Sequence, residues 1–134
     1  MSLITSYRSI EKPILYVIIA EFFLQLINTA FMSILPLYMK VEHYTDGEIG
    51  NAIKFRYLGV LVLAIFVGLW IRKRKLSYLF YISCLLVPAF SFGILYTIET
   101  HDIFLNHIFQ ILWGASFTFM QVPVLPFILR NCVK

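Results

Sequence analysis

Residues 13–39, PILYVIIAEFFLQLINTAFMSILPLYM, decide the fold. A helix rises about 1.5 Å per residue, so about 20 apolar residues cross the hydrocarbon of a bilayer. This stretch is longer than that. A cleaved leader has an apolar region of only about 7–15 residues, and no small-x-small cleavage pattern follows this one. It is expected to be an uncleaved first transmembrane helix behind a short cytoplasmic segment, residues 1–12. Glu21 lies inside it and is expected in the middle of the membrane. A carboxylate in hydrocarbon costs at least about 2.5–3.5 kcal/mol on insertion scales. It survives by facing a wet cavity, finding a partner or taking up a proton. Gln25 and Asn28 follow at i+4 and i+7, on the same helix face. One side of the segment is therefore expected to be polar, and Glu21 to be either a structural, hydrogen-bonded carboxyl or a proton- or cation-binding group.

The composition agrees with a membrane setting. Hydrophobic residues are 60% of the 134 and charged ones 13%, against about 45–50% and about 25% in soluble proteins. The net charge of +4 sits beside the apolar segments, where it sets topology rather than recognising nucleic acid. The expected partner is the lipid bilayer, with a small-molecule substrate that the residues leave unspecified. Cys84 and Cys132 offer no disulfide framework. His43, His101, His107 and the cysteines have no metal-ligand spacing, and no nucleophile–base pair stands at helical spacing. No enzyme activity, metal or cofactor is expected.

Three further apolar segments follow, at about 48–71, 76–98 and 103–129, joined by short polar connections. They lack the alternation of barrel strands, so helices must satisfy the backbone. The expected fold is an all-α integral membrane protein of four antiparallel transmembrane helices, with residues 130–134 as a tail. Thr45-Asp46-Gly47-Glu48 reads as a capping box opening the second helix. Pro36 is expected to distort or end the first helix, Pro88 to bend the third, and Pro123 and Pro126 to loosen the fourth. With the N-terminus inside, Arg8, Lys12, Arg72, Lys73, Arg74, Lys75, Arg130 and Lys134 fall on the inner side, and Lys40, Lys54 and Arg56 on the outer. That bias places both termini in the cytoplasm.

Polar positions on the other helices follow the same logic. In the fourth, His107, Gln110, Gly114, Thr118 and Gln121 recur at steps of three and four, forming either a packing seam or a cavity wall. His107 is either a wetted interfacial residue or a proton relay. In the second, Lys54 and Arg56 either snorkel outward, or Lys54 turns inward with Asn51 to attract an anion or pair with Glu21, leaving Arg56 to snorkel. The third helix is uncharged between Leu76 and Ile98 and reads as lipid-facing.

The order of these features resembles the start of a major facilitator superfamily transporter. The first helix closes on Leu35-Pro36. The turn Tyr44-Thr45-Asp46-Gly47-Glu48-Ile49-Gly50 is similar to that family's first loop and helix start. Gly68 and the run Arg72-Lys73-Arg74-Lys75 fall where its cytoplasmic motif Gly-x-x-x-Asp-Arg-x-Gly-Arg-Lys falls, with Arg72 in place of the Asp and the second Gly absent. The Arg-x-x-x-Gly pattern of the fourth helix keeps its glycine as Gly114 and has Gln110 at the arginine position. The resemblance implies a multi-pass protein of the bacterial inner (cell) membrane. Its first, second and fourth helices would line a solute path and its third would face lipid, with Glu21 resembling the coupling group of drug/proton antiporters. Two six-helix halves make that fold, so four helices imply the N-terminal part of a transporter: a truncated gene product, or a piece needing its missing half. The alternatives are a self-contained four-helix carrier of the small multidrug resistance type, acting as a homo-oligomer, and a non-transporting membrane subunit.

Overall fold

The computed structural model describes residues 12–71 and 77–132. They form four helices: α1 (Lys12–Val41), α2 (Asp46–Trp70), α3 (Ser77–Glu99) and α4 (Ile103–Cys132). Each is long and apolar enough to cross a membrane, which makes this a multi-pass membrane protein, all-helical among the described residues. Large apolar side chains such as Phe22, Leu61, Phe66, Leu85 and Phe92 stand exposed on the outside, where lipid rather than water is the compatible solvent. The basic run Arg72-Lys73-Arg74-Lys75 lies outside the described residues.

Local chemistry sets the helix ends. Thr45 is the N-cap of α2: its hydroxyl accepts the Glu48 N–H at 3.3 Å, and the Glu48 carboxylate accepts the Thr45 N–H at 2.8 Å. The expected capping box is formed. α1 and α3 both end on a histidine in the left-handed region, His43 (φ 65°) and His101 (φ 54°). Each closes the paired bonds of a Schellman motif, with Tyr44 N–H on the Met39 carbonyl and Asp102 N–H on the Thr97 carbonyl. Histidine pays a steric penalty there that glycine does not. Asp102 then caps α4, accepting the Leu105 N–H at 3.0 Å. Pro36, Pro88, Pro123 and Pro126 all lie inside helices that continue past them.

α4 is the organising element. It packs most extensively on α2, then on α3, and only lightly on α1. Contacting positions of α2 and α4 rise together: Phe55 meets His107, Gly59 meets Ile111, and the Arg130 guanidinium donates to the Ile71 carbonyl. Those of α3 and α4 run in opposite order: Gly93 meets Phe109, Ser83 meets Ser116, and Phe80 meets Phe127. At the opposite end from Arg130, Tyr44 stacks on His101 and donates to the Ile98 carbonyl at 3.3 Å, joining the two short loops. Burial, then the nearby carboxylates of Glu48, Glu42 and Asp102, push the Tyr44 phenol above its ordinary range.

Two placements differ from the sequence reading. Ser83, Ser91 and Thr97 of α3 turn inward, away from the lipid-facing side on which Cys84 and the tyrosines stand exposed. Ser83 donates to the Ser116 carbonyl at 2.8 Å, Ser91 accepts the Trp113 indole N–H at 2.8 Å, and Thr97 is fully buried. Ser83 and Ser91 find their partners on α4, and Thr97 donates to the Ile94 carbonyl of its own helix at 2.8 Å, because hydrocarbon offers none. The least embedded helix is instead α1, which buries only Ile14, Leu35 and Met39.

The closeness of α2 and α4 rests on two glycines. A β-carbon on Gly59 would strike the Ile111 carbonyl, and one on Gly114 would strike the Arg56 carbonyl. Small residues let membrane helices approach until backbones touch. Gly114→Ala should therefore destabilise the fold by about 1–3 kcal/mol, the usual range for overpacking. Gly50→Ala should be neutral or better, since nothing lies within 4 Å of that position. Thermal unfolding of both variants in detergent micelles checks the pair.

Candidate functional site

The seam between α2 and α4 contains the one fully buried charge among the described residues. Arg56 is 2% exposed. It stands ten residues into α2, about 15 Å along the axis from its start. The seam positions of α2 explain why it is inside: Ile49, Ala52, Arg56, Gly59 and Val67 are the buried residues of that helix, the first four spaced by threes and fours and Val67 two turns further on. From α4, Gln110, Trp113 and Gly114 meet Arg56, with Ile111 against Gly59 and His107 against Phe55.

The guanidinium is held entirely by neutral groups. Its Nε and Nη2 donate to the Gln110 Oε1 at 2.8 and 2.5 Å. Its central carbon lies 4.5 Å from the Trp113 ring centroid and 5.2 Å from that of Phe31, close enough for cation–π attraction. Phe31, Trp113 and Phe117 stack in succession, at 5.5 and 5.3 Å. The remaining terminal nitrogen, Nη1, contacts the Met32 sulfur of α1, a weak acceptor.

Arginine has only donors, and this fixes the orientation of the whole cluster. Gln110 must turn its oxygen to Arg56, so its amide nitrogen has to donate onward. It does so to the Asn106 Oδ1 at 3.3 Å. Asn106 is 2% exposed, and its own Nδ2 is left buried without an acceptor. The cluster thus carries a full positive charge, a surplus of donors and no carboxylate.

A second polar line runs along α1. Gln25 Nε2 donates to the Glu21 Oε1 at 2.9 Å, Thr29 donates to the Gln25 carbonyl at 2.8 Å, and Ser33 to the Thr29 carbonyl at 2.9 Å. Asn28 is half-buried beside this line. The other Glu21 oxygen, Oε2, is buried without a donor. Ala20, one residue earlier, lines a crevice of about 300 Å³ with Tyr16, Phe80, Cys84, Met120 and Phe127. Its lining is mostly apolar. Glu21 is twenty residues from the Val41 end of α1, about 30 Å by helical rise, so it stands well below the level of Arg56.

The positions singled out in the sequence therefore divide. Gln110 joins the buried seam, and Gly114 and Thr118 line it. His107 is half-buried and stacked on Phe55 at 4.4 Å. Asn51, Lys54, Gln121 and Gly68 are exposed. Lys54 does not turn inward, and Arg56 does not snorkel. The reason is register: Arg56 shares a face with Ala52 and Gly59, whereas Lys54 and Asn51 lie off it. Sequence reasoning missed Arg56, Asn106, Trp113, Phe31 and Met32. The run of small and apolar residues at 49, 52, 59 and 67 was the available signal for Arg56.

Comparison with models of known protein families, with characterised proteins and with solved structures finds no match to this chain.

Removing one partner of a buried charge leaves the other stranded, at about 3–5 kcal/mol. Gln110→Leu should destabilise the protein by that order. Adding Arg56→Met to it should restore most of the loss, because the paired change leaves no orphaned charge. Chemical unfolding of the single and double variants in micelles measures the difference.

Proposed function

We propose that the chain is a membrane transport component of the major facilitator type, carrying part of the path for a small solute. The observation that supports it is the placement of Arg56: a charge near the middle of a span, on a helix seam, without a counter-ion. Charges at that depth are retained where solutes or ions pass. Sequential helices in this reading alternate direction, with both termini cytoplasmic. The parallel register of α2 with α4 and the opposed register of α3 with α4 support that topology.

Glu21 has a different part. Its unpartnered oxygen is an acceptor awaiting a proton or a cation, and its carboxyl couples proton movement to the solute's. Gln25 steadies it, while Arg56 and Gln110 mark the solute's level. The basic run Arg72–Lys75 anchors the cytoplasmic side.

Two measurements test this. Reporter fusions after His43 and after Thr100 should read as external, and a fusion after Lys134 as cytoplasmic. In vesicles carrying the full chain, a proton gradient should drive solute uptake. Glu21→Gln should reduce that uptake by at least about tenfold, the effect of losing a proton-transfer group, with membrane insertion unchanged. Uptake equal to the parent's in Glu21→Gln removes Glu21 from the coupling. Absence of any flux, with Glu21→Gln altering only association with another protein, points to a non-transporting subunit.

A further inference from the structure

We infer that the Arg56–Gln110–Asn106 cluster is a binding seat for a small anion, a carboxylate or an inorganic oxyanion. Its role as the substrate site rests on the transport reading above, but anion binding itself does not.

The argument is a count of donors against acceptors. Within the cluster, Gln110 Oε1 takes two N–H groups from Arg56, and Asn106 Oδ1 takes one from Gln110. Those oxygens are then engaged. Two donors remain poorly served: Nη1 of Arg56, which has only the Met32 thioether, and Nδ2 of Asn106, which has nothing. Both residues are 2% exposed, so bulk water does not serve them. Flipping the Asn106 amide does not relieve the imbalance, because Gln110 needs its oxygen. What the cluster lacks is an acceptor, and because it carries a net positive charge the fitting acceptor is an anion.

The structure also indicates where the anion enters. Nη1 points to α1, the helix that packs most lightly on the others. The side chain in the way is methionine, unbranched and readily rearranged. Displacing the Met32 sulfur exposes an N–H without breaking either bond to Gln110. The Trp113 and Phe31 rings then wall the seat and hold off water, which strengthens a charge-assisted bond. At about 15 Å below the start of α2, the seat is too deep for a lipid headgroup, so a small soluble anion is the occupant.

Trp113 makes the seat observable. The full chain carrying Trp70→Phe is placed in nanodiscs of phosphatidylcholine alone, leaving Trp113 as the emitter. Acetate, nitrate and inorganic phosphate are titrated in turn, with tetramethylammonium as the cationic control. At least one anion should give a saturable, dilution-reversible change in Trp113 emission, and the cation none. Arg56→Gln should abolish the response. Asn106→Asp, which keeps the acceptor for Gln110 and supplies the carboxylate the cluster lacks, should weaken binding by at least about tenfold, the fold-change of one charge-assisted hydrogen bond. It carries the test if Arg56→Gln fails to fold by far-ultraviolet circular dichroism. No saturable anion response in the folded parent overturns the assignment. So does a response that survives Arg56→Gln, or one undiminished in Asn106→Asp. Anion binding without flux in vesicles keeps the seat and discards transport. Flux of a cation or neutral solute without anion binding keeps transport and discards the seat.

Discussion

A guanidinium buried where neither water nor a carboxylate is at hand must draw its acceptors from neighbouring helices, and the centre of this molecule is arranged around that demand. Arg56 takes the Gln110 oxygen twice, turns Gln110 so that its nitrogen engages Asn106, and lies against the faces of Trp113 and Phe31. None of this is reachable unless α2 and α4 touch. Gly59 and Gly114 permit that contact, and Gly114 lies directly against the Arg56 carbonyl. The glycines and the arginine are therefore parts of one feature: close approach brings the amide to the charge, and the charge–amide bonds hold the approach. In hydrocarbon there is little apolar driving force between helices, so packing of this kind and internal hydrogen bonds must supply it. The α3–α4 seam uses the same means, with Ser83, Ser91 and Trp113 bonded across it.

How much of this was legible in the residues depended on whether the signal was local. The capping box was readable because Thr45 and Glu48 act on each other three residues apart. The four spans were readable because length and apolarity suffice to call for a membrane helix. The interior of the seam was not, because hydrophobic contrast, the usual guide to a helix's inner face, is weak where the outside is also apolar. Polarity then drew the eye to Lys54 and Asn51, which share a face but the exposed one. The reliable guide was residue size. Ala52 and Gly59 flank Arg56 on the face where a neighbour must come close. Likewise Ser83 and Thr97 on α3 read as incidental polarity in a lipid-facing helix, when each lies buried against α4 or its own backbone.

Glu21 illustrates the opposite case. Its chemistry was plain from the sequence, and its bond to Gln25 follows from the four-residue spacing. Its level was less plain. A run of apolar residues does not say where the bilayer's middle falls, and the helix extends far enough that Glu21 lies nearer one end while Arg56 occupies the centre. Thr29 and Ser33 extend the polar line by the same step of four, their hydroxyls bonded to their own helix.

These placements give the proposed mechanism a physical link. Arg56 leaves donors unsatisfied and Glu21 leaves an acceptor unsatisfied. An anion answers the first and a proton the second, and taken together they add no net charge to the interior. Both sites involve α1: Met32 guards the arginine, and Glu21 lies eleven residues earlier on the same helix, about 16 Å along its axis. α1 is also the element with the lightest packing. A ligand that displaces Met32 does so by shifting that side chain or the helix that carries it. A helix is stiff along its length, so a shift at Met32 alters the surroundings of Glu21. Thermodynamic linkage then requires the reverse as well: a proton that favours one placement of α1 changes the affinity for the anion by the same factor. Coupling in this arrangement needs no direct contact between the two charges, only one loosely held helix that both of them position.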